Sequence, residues 1–330
     1  PALPAATLSS DDLRGDVTIV GSRQRRDLFH GVRAVYVEPA ALAGILRDGV
    51  TARPGIPGAS STPPDKEHKS MAFDIPSPPL KGKKALVVGI ANDSSIAYGC
   101  AEAFHELQAD LAITYLNEKS KKFVEPLATE LGASLFVPLD VSQPGQLEAV
   151  FEEITRKWGR LDILVHSIAF APKEDLQGGL INCSAEGFAK AMDISCHSFI
   201  RMARLAAPLM DQGGAMFAMS YHGANEVAPN YNVMGPVKAA LESACRYLAY
   251  ELGPKDIRVH AISPGPLKTR AASGLKDFDR LLNEAAQRAP LGELVDIMDV
   301  GYTCAFLATP YARRLTGSTV YVDGGVNIMA

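Results

Sequence analysis

What constrains this chain most is a rhythm. From Lys81 onward, short apolar runs alternate with stretches of helical periodicity about every 20 to 30 residues. The runs are KKALVVGI (Lys83 to Ile90), ADLAITYL (Ala109 to Leu116), SLFVPLDV (Ser134 to Val141), LDILVHSI (Leu161 to Ile168), AMFAMS (Ala215 to Ser220), IRVHAISP (Ile257 to Pro264) and STVYVDGG (Ser318 to Gly325). KKALVVGI, with a polar entry and an unbroken apolar run, reads as a buried parallel strand covered on both faces. Between them the periodicity predicts helices from Ser95 to about Leu107, through SKKFVEPLATELG with Pro126 inside it, over Leu147 to Gly159, near Ala185 to Met210, and after Tyr231. Strand and helix in strict alternation predict one doubly wound, parallel α/β sheet with helices on both faces. Ligands of such sheets bind where the strand order reverses, at the carboxyl ends of the strands.

The first 79 residues do not share this rhythm. ARPGIPGASSTPPDKEHKS (Ala52 to Ser70) has the composition of a linker. The apolar runs before it, DVTIV (Asp16 to Val20) and VRAVYVEPAALAGILRDG (Val32 to Gly49), are too few for an independent core. The expectation is therefore a poorly ordered N-terminal extension over 1–79, without its own activity, and a catalytic domain over 80–330. Met71 is a plausible natural start; an oligomer-contacting or targeting arm is the alternative reading of the extension.

Composition excludes several classes. Hydrophobic residues at 47% can fill one sizeable core, and a net charge of -4 gives no reason to expect nucleic acid or an anionic membrane as partner. No apolar run approaches the roughly 20 residues of a membrane span. The five cysteines include no CxxC pair, so free buried thiols in a reducing cytoplasm are expected, and no metal site.

The chemistry gathers just after the strands. The first strand runs into GIANDSSIAYG (Gly89 to Gly99). A glycine there lets backbone approach a pyrophosphate, and the next helix turns free amides toward its charge. A simple serine-capped helix start is the competing reading. Asp140, after the third strand, can accept from an adenine amino group or cap the next helix. Leu116 and its neighbours end the second strand where the adenosine ribose is read. No Arg stands there and Glu118 follows, which favours NADH over NADPH. Lys119, Lys121 and Lys122 weaken that preference unless they are a solvated helix face.

YNVMGPVK (Tyr231 to Lys238) places a phenol and an ammonium seven residues apart. On a helix both would project from one face, and the ammonium would lower the phenol pKa. Such a Tyr can donate a hydrogen bond or a proton to a substrate oxygen. Pro236 between them has no explanation at this level. His166, His197 and His222 lack partner motifs, and His166 reads as the end of a buried strand.

Residues from about Lys81 to Ala330 resemble the enoyl-acyl carrier protein reductases, the divergent branch of the short-chain dehydrogenase/reductase superfamily. Where the ordinary branch has TGxxxGxG, this chain has the longer GIANDSSIAYG; where it has NNAG, this chain has HSIA (His166 to Ala169) followed by FAP. The ordinary branch's serine, thirteen residues before its Tyr, is Ala218, and the family's second tyrosine, ten residues before, is Tyr221. SPGPLKTRAASG (Ser263 to Gly274) is similar to the family's nicotinamide-contacting loop.

The resemblance implies a Rossmann-like fold and NADH-dependent reduction of the trans-2 double bond of enoyl-acyl carrier protein thioesters, in fatty acid elongation. It implies that Gly89, Ser95 and Ile96 face the pyrophosphate and that Asp140 and Val141 hold the adenine. Ser167, Ile168 and Ala169 would line the cofactor's middle, with Lys238 on the nicotinamide ribose and Leu267 and Thr269 at the amide and phosphate side. Tyr231 would bond the thioester oxygen, and Tyr221 and Ala171 would border the acyl pocket. Acyl carrier protein is the implied partner and a homotetramer the implied assembly.

GLKDFDRLLNEAAQ (Gly274 to Gln287) has Leu275, Phe278, Leu281 and Leu282 at helical spacing. It reads as a core-packed helix or, by the resemblance, a lid, with Lys276 and Arg280 as candidate carrier-protein contacts beside Asp279. Two other readings remain at this stage: a 3-ketoacyl thioester reductase or other carbonyl–alcohol dehydrogenase, and a non-catalytic NAD-binding regulator.

Overall fold

A computed structural model describes residues 77–267, 269 and 278–329. They fall within one compact unit, Ala72–Ala330. The expectations for the N-terminal extension lie outside the described residues.

Seven parallel strands form one sheet in the order β3-β2-β1-β4-β5-β6-β7. They are β1 (Lys84–Val88), β2 (Asp110–Tyr115), β3 (Leu135–Pro138), β4 (Ile163–His166), β5 (Gly214–Met219), β6 (Ile257–Pro264) and β7 (Thr319–Val322). The helices are α1 (Ile96–Glu106), α2 (Glu118–Glu130), α3 (Gln146–Trp158), α4 (Lys173–Gln177), α5 (Ala185–Met192), α6 (Ser198–Ala206), α7 (Met234–Leu252), α8 (Phe278–Arg288) and α9 (Ile297–Ala308). Consecutive strands walk outward from β1 to β3, then return across β1 to β4 and walk the other way. The reversal between β1 and β4 opens a crevice at their carboxyl ends.

Successive side chains of a strand point to opposite faces, and two cores result. Ala85, Val87, Leu111, Ile113, Ile163, Val165 and Phe217 face α1, α2 and α9. Leu86, Val88, Ala112, Leu164, Met216 and Ala218 face α3, α6 and α7. This is why the central strands carry consecutive apolar residues, ALVV in β1 and ILV in β4, instead of one at every second position. α1 and α9 pack with almost no side chain between them. A Cβ on Gly301 would sit 2.2 Å from the Gly99 carbonyl oxygen.

The structure departs from the periodicity in one place that matters. The single helix expected near Ala185 to Met210 is α5 and α6 joined by a π-turn, Asp193–His197. The widened turn turns two serines toward the β4 exit. Ser195 Oγ accepts from Phe170 N at 2.9 Å and donates to its carbonyl at 3.1 Å. Ser198 Oγ meets His166 Nε2 at 2.7 Å and donates to Ile194 O at 2.6 Å. Periodicity cannot see such a turn, because the apolar face continues through it.

Among the described residues, no helix is long and apolar enough to cross a membrane, and no cluster of His, Cys, Asp or Glu could hold a metal ion. All five cysteines are free, four of them buried.

Candidate active site

A pocket lies at the carboxyl ends of the strands, over the β1–β4 crevice. Gly89 forms its floor, with φ at +117°. A Cβ there would lie 2.1 Å from the Ser167 carbonyl oxygen, so the exits of β1 and β4 can touch only because residue 89 is glycine. Beside it, the Ser95 hydroxyl accepts from the amides of Ala91 and Asn92 at 3.0 and 3.1 Å and donates to Asn92 Oδ1 at 3.0 Å. Ser95 therefore shapes the loop leading into α1 and does not cap the helix with its side chain. The first turn of α1 has no acidic residue; the amides of Tyr98 and Gly99 already donate to the Ser95 carbonyl at 2.8 and 3.2 Å, and those of Ile96 and Ala97 precede the first helical acceptor. That arrangement favours an anion.

Ser167, Ile168, Ala169 and Ala171 follow β4 along one wall, and Leu267 and Thr269 follow β6 along another. Tyr221, Tyr231 and Lys238 complete the enclosure. Twelve of the fifteen residues singled out from the sequence thus line one pocket. Leu116, Asp140 and Val141 do not; they sit at the ends of β2 and β3 beyond it. Leu116 is 54% exposed, and the Val141 carbonyl is held by Arg201 Nη2 at 2.9 Å. Asp140 Oδ1 accepts from both the amide and the hydroxyl of Ser142, while the N-cap of α3 is Gly145, so Asp140 does not cap the next helix. Lys121 and Lys122 lie over the rings of Tyr115 and Phe123, on the face of α2.

Two expectations about the Tyr–Lys pair need correction. Tyr231 is not on a helix: α7 begins at Met234, and Tyr231 stands in the turn before it. Asn230 and Asn232, both with φ in the left-handed region, flank it. The late start of α7 also accounts for Pro236. It occupies the first turn, where an amide has no helical acceptor and its loss costs no hydrogen bond. The second correction concerns the phenol. Its pKa is raised, not lowered, because burial disfavours the phenolate and Tyr221 and Glu242 add to the effect. Lys238 is itself buried, 4% exposed, and its Nζ donates to the Met219 carbonyl at 2.6 Å. Burial pushes the ammonium down to about 8, against smaller upward pulls from Cys196, Cys245 and Glu242.

The rings of Tyr221 and Tyr231 meet edge to face, 4.9 Å between centroids. Ala218, at the position of the ordinary branch's serine, is fully buried in the sheet's second core. No hydroxyl is offered there. His166 is also fully buried, and the Ser198 pattern places its proton on Nε2; burial, then Lys238, holds its pKa down to about 3. His222 Nε2 lies 3.3 Å from Glu226, and His197 2.9 Å from Asp193. α8 packs Leu282 into the interior, while Leu275 and Lys276, and the side chains of Phe278, Asp279 and Leu281, lie outside the description. Sequence reasoning missed Phe170, Leu176, Met219 and Met234 as lining residues. Met234 could have been found one turn from Tyr231; Leu176, on the short α4, carries no local signal.

A seven-stranded doubly wound sheet with a Tyr and a buried Lys at its switch point defines a nucleotide-dependent oxidoreductase of the short-chain dehydrogenase/reductase class. A family model described as enoyl-(acyl carrier protein) reductase matches residues 89–327. The enoyl-acyl-carrier-protein reductase (NADH) FabI of Aquifex aeolicus is 47% identical over 251 residues, 76% of this chain and 93% of that one. The protein of the same name from Escherichia coli is 44% identical over 252 residues, covering 76% and 96%. The solved enoyl-acyl-carrier-protein reductase of Anaplasma phagocytophilum, in complex with NAD, is 43% identical with a TM-score of 0.73, covering 76% and 96%. This chain belongs to the enoyl-acyl carrier protein reductase family.

Proposed function

We propose that this protein is an NADH-dependent enoyl-acyl carrier protein reductase, reducing the trans-2 double bond of an enoyl thioester in fatty acid elongation. The observation that carries it is the Tyr221–Tyr231 pair beside Lys238, with a buried alanine where carbonyl reductases of the class hold a serine.

The pocket fits a nicotinamide dinucleotide. One end offers the leading amides of α1, Ile96 and Ala97, with no acidic side chain in that turn, and the other a buried ammonium whose Nζ donates to the Met219 carbonyl. Gly89, Ser95 and Ile96 would hold the pyrophosphate, Asp140 and Val141 the adenine, and Leu116 would border its ribose. Ser167, Ile168 and Ala169 would support the middle, Lys238 the nicotinamide ribose, and Leu267 and Thr269 the nicotinamide side. Glu118, in the first turn of α2, opposes a 2′-phosphate, and Asn117 spends its side chain capping that helix. Bound there, a dihydronicotinamide would supply hydride to the β-carbon of the substrate, and a proton reaching the α-carbon would complete the reduction.

The chain's own residues manage the resulting charge. Negative charge grows on the thioester oxygen as the enolate forms. Tyr231, kept protonated by burial, donates a hydrogen bond to that oxygen. A neutral donor is well suited to this role, since it strengthens its bond as charge develops without giving up the proton beforehand. Lys238 adds a positive field from the same side. Tyr221 and Ala171 border the acyl chain, and the rest of the wall keeps water away from the enolate.

The substrate arrives on acyl carrier protein, an acidic partner that Arg280 would meet from α8. The assembly is a homotetramer and the compartment the cytoplasm, in keeping with four buried free thiols. The test is NADH oxidation by the purified protein with a trans-2-enoyl thioester and, in parallel, a 3-ketoacyl thioester. Turnover with the enoyl substrate alone is expected. Turnover with the keto substrate alone would mean carbonyl chemistry, and NADH binding without turnover of either would mean a regulator.

A further inference from the structure

Glu242 is a buried carboxylate, 3% exposed, one turn beyond Lys238 on α7. Both its oxygens are engaged. Oε1 accepts from the Ser220 hydroxyl at 2.6 Å, and Oε2 accepts from Asn225 Nδ2 at 3.2 Å. These two partners bracket Tyr221: Ser220 precedes it at the end of β5, and Asn225 follows the short turn His222–Ala224. Asn225 Nδ2 also donates to the Tyr321 hydroxyl at 3.0 Å, tying the turn to β7.

The turn itself has no room to drift. A Cβ on Gly223 would lie 2.6 Å from Cδ1 of Tyr231 and 3.2 Å from Cδ1 of Tyr221. The backbone of the turn is thus pressed against both rings. A shift of a few tenths of an ångström either collides with them or leaves a gap.

We propose that Glu242 is a positioning residue: its carboxylate clamps the segment Ser220–Asn225 from both ends and so sets the Tyr221 ring against the Tyr231 phenol. The same helix that presents Lys238 then also fixes the second tyrosine, so phenol, ammonium and acyl-pocket wall share one rigid reference. This rests on the reading of Tyr231 as the group at the substrate carbonyl.

The test uses Glu242→Gln and Asn225→Ala in the full chain. Gln keeps the shape and one acceptor but cannot accept from both partners. Asn225 is exposed, so its truncation does not threaten the core. Three quantities are read: NADH dissociation constant, kcat and KM for a trans-2-enoyl thioester, and the ring-current-shifted NMR signals of labelled tyrosine, assigned with Tyr221→Phe. Glu242→Gln is expected to lower kcat about tenfold or more with NADH affinity within twofold, and to collapse the mutual ring-current shift. Asn225→Ala is expected to lower kcat by a few fold, and the double variant to be no worse than Glu242→Gln. Unchanged tyrosine signals in folded Glu242→Gln, or kcat within twofold of the parent, would overturn the proposal. So would NADH affinity falling in step with kcat, which marks general collapse. If Glu242→Gln fails to fold, unchanged signals in Asn225→Ala overturn it instead. The tyrosine signals need no turnover, so a parent inactive on the enoyl substrate would count against the function and not against the clamp.

Discussion

A phenol whose proton is held by burial can act on a substrate oxygen only as a donor until charge builds there, and this governs what Tyr231 contributes. With Tyr231 at the substrate carbonyl, as proposed, Tyr231→Phe would remove one donor from the developing oxyanion. Its kcat for an enoyl thioester should fall about 100-fold or more, with NADH affinity retained. Steady-state kinetics beside a binding titration checks this. Lys238 makes a pH prediction. Its folded pKa is about 8, below the 10.5 of the unfolded chain. The ammonium is present below pH 8 and lost above it, so kcat/KM should decline as pH rises through that value, and the residual rate of Lys238→Met should be flat there. Stability runs in the opposite sense. Between those two pKa values the unfolded chain binds more protons, so stability rises with pH. Lys238→Met should accordingly melt higher than the parent at pH 7, and the difference should vanish above pH 10.5. The Tyr–Lys pair and Tyr221 were legible from spacing and resemblance. The direction of the phenol shift was not, because burial is a property of the fold and spacing reports only proximity.

Elements explain where spacing misleads. Seven residues were expected to span two turns of one helix, yet α7 begins at Met234 and Tyr231 stands outside it. Pro236→Ala should therefore change stability by no more than about 0.5 kcal/mol, as for an exposed first-turn position. Replacing a mid-helix proline would raise stability by far more, and thermal melts of Pro236→Ala beside the parent distinguish the cases. The α1–α9 contact makes the opposite prediction. Gly301→Ala forces a methyl onto the Gly99 carbonyl, backbone against backbone, and should cost about 1 to 3 kcal/mol in denaturant titration. The strands were legible because both faces of the sheet are covered. The π-turn at Asp193–His197 was not, since Ser195 within it and Ser198 just after it are polar residues that the fold buries behind β4.

At the scale of the whole molecule, both cores and all seven strands lie within the described residues after Leu80. A chain beginning at Ala72 should fold and turn over substrate as the full chain does, with Tm within about 2 °C; a precipitating or inactive truncation would contradict this. The sheet's class was readable from alternation, while its strand order comes from the structure. The order has a consequence for a chain still being synthesised. β1 lies at the centre, and its partner on one side, β4, is made only after β2, β3 and their helices. At roughly 5–20 residues per second, the open edge of β1 waits several seconds on the ribosome for that partner. The nascent half-sheet β3-β2-β1 is then an apolar ribbon with one unpaired margin, the stage at which neighbouring chains could capture one another. A chaperone that attends this protein would meet it there, before any part of the pocket beyond Gly89, Ala91, Ser95 and Ile96 exists.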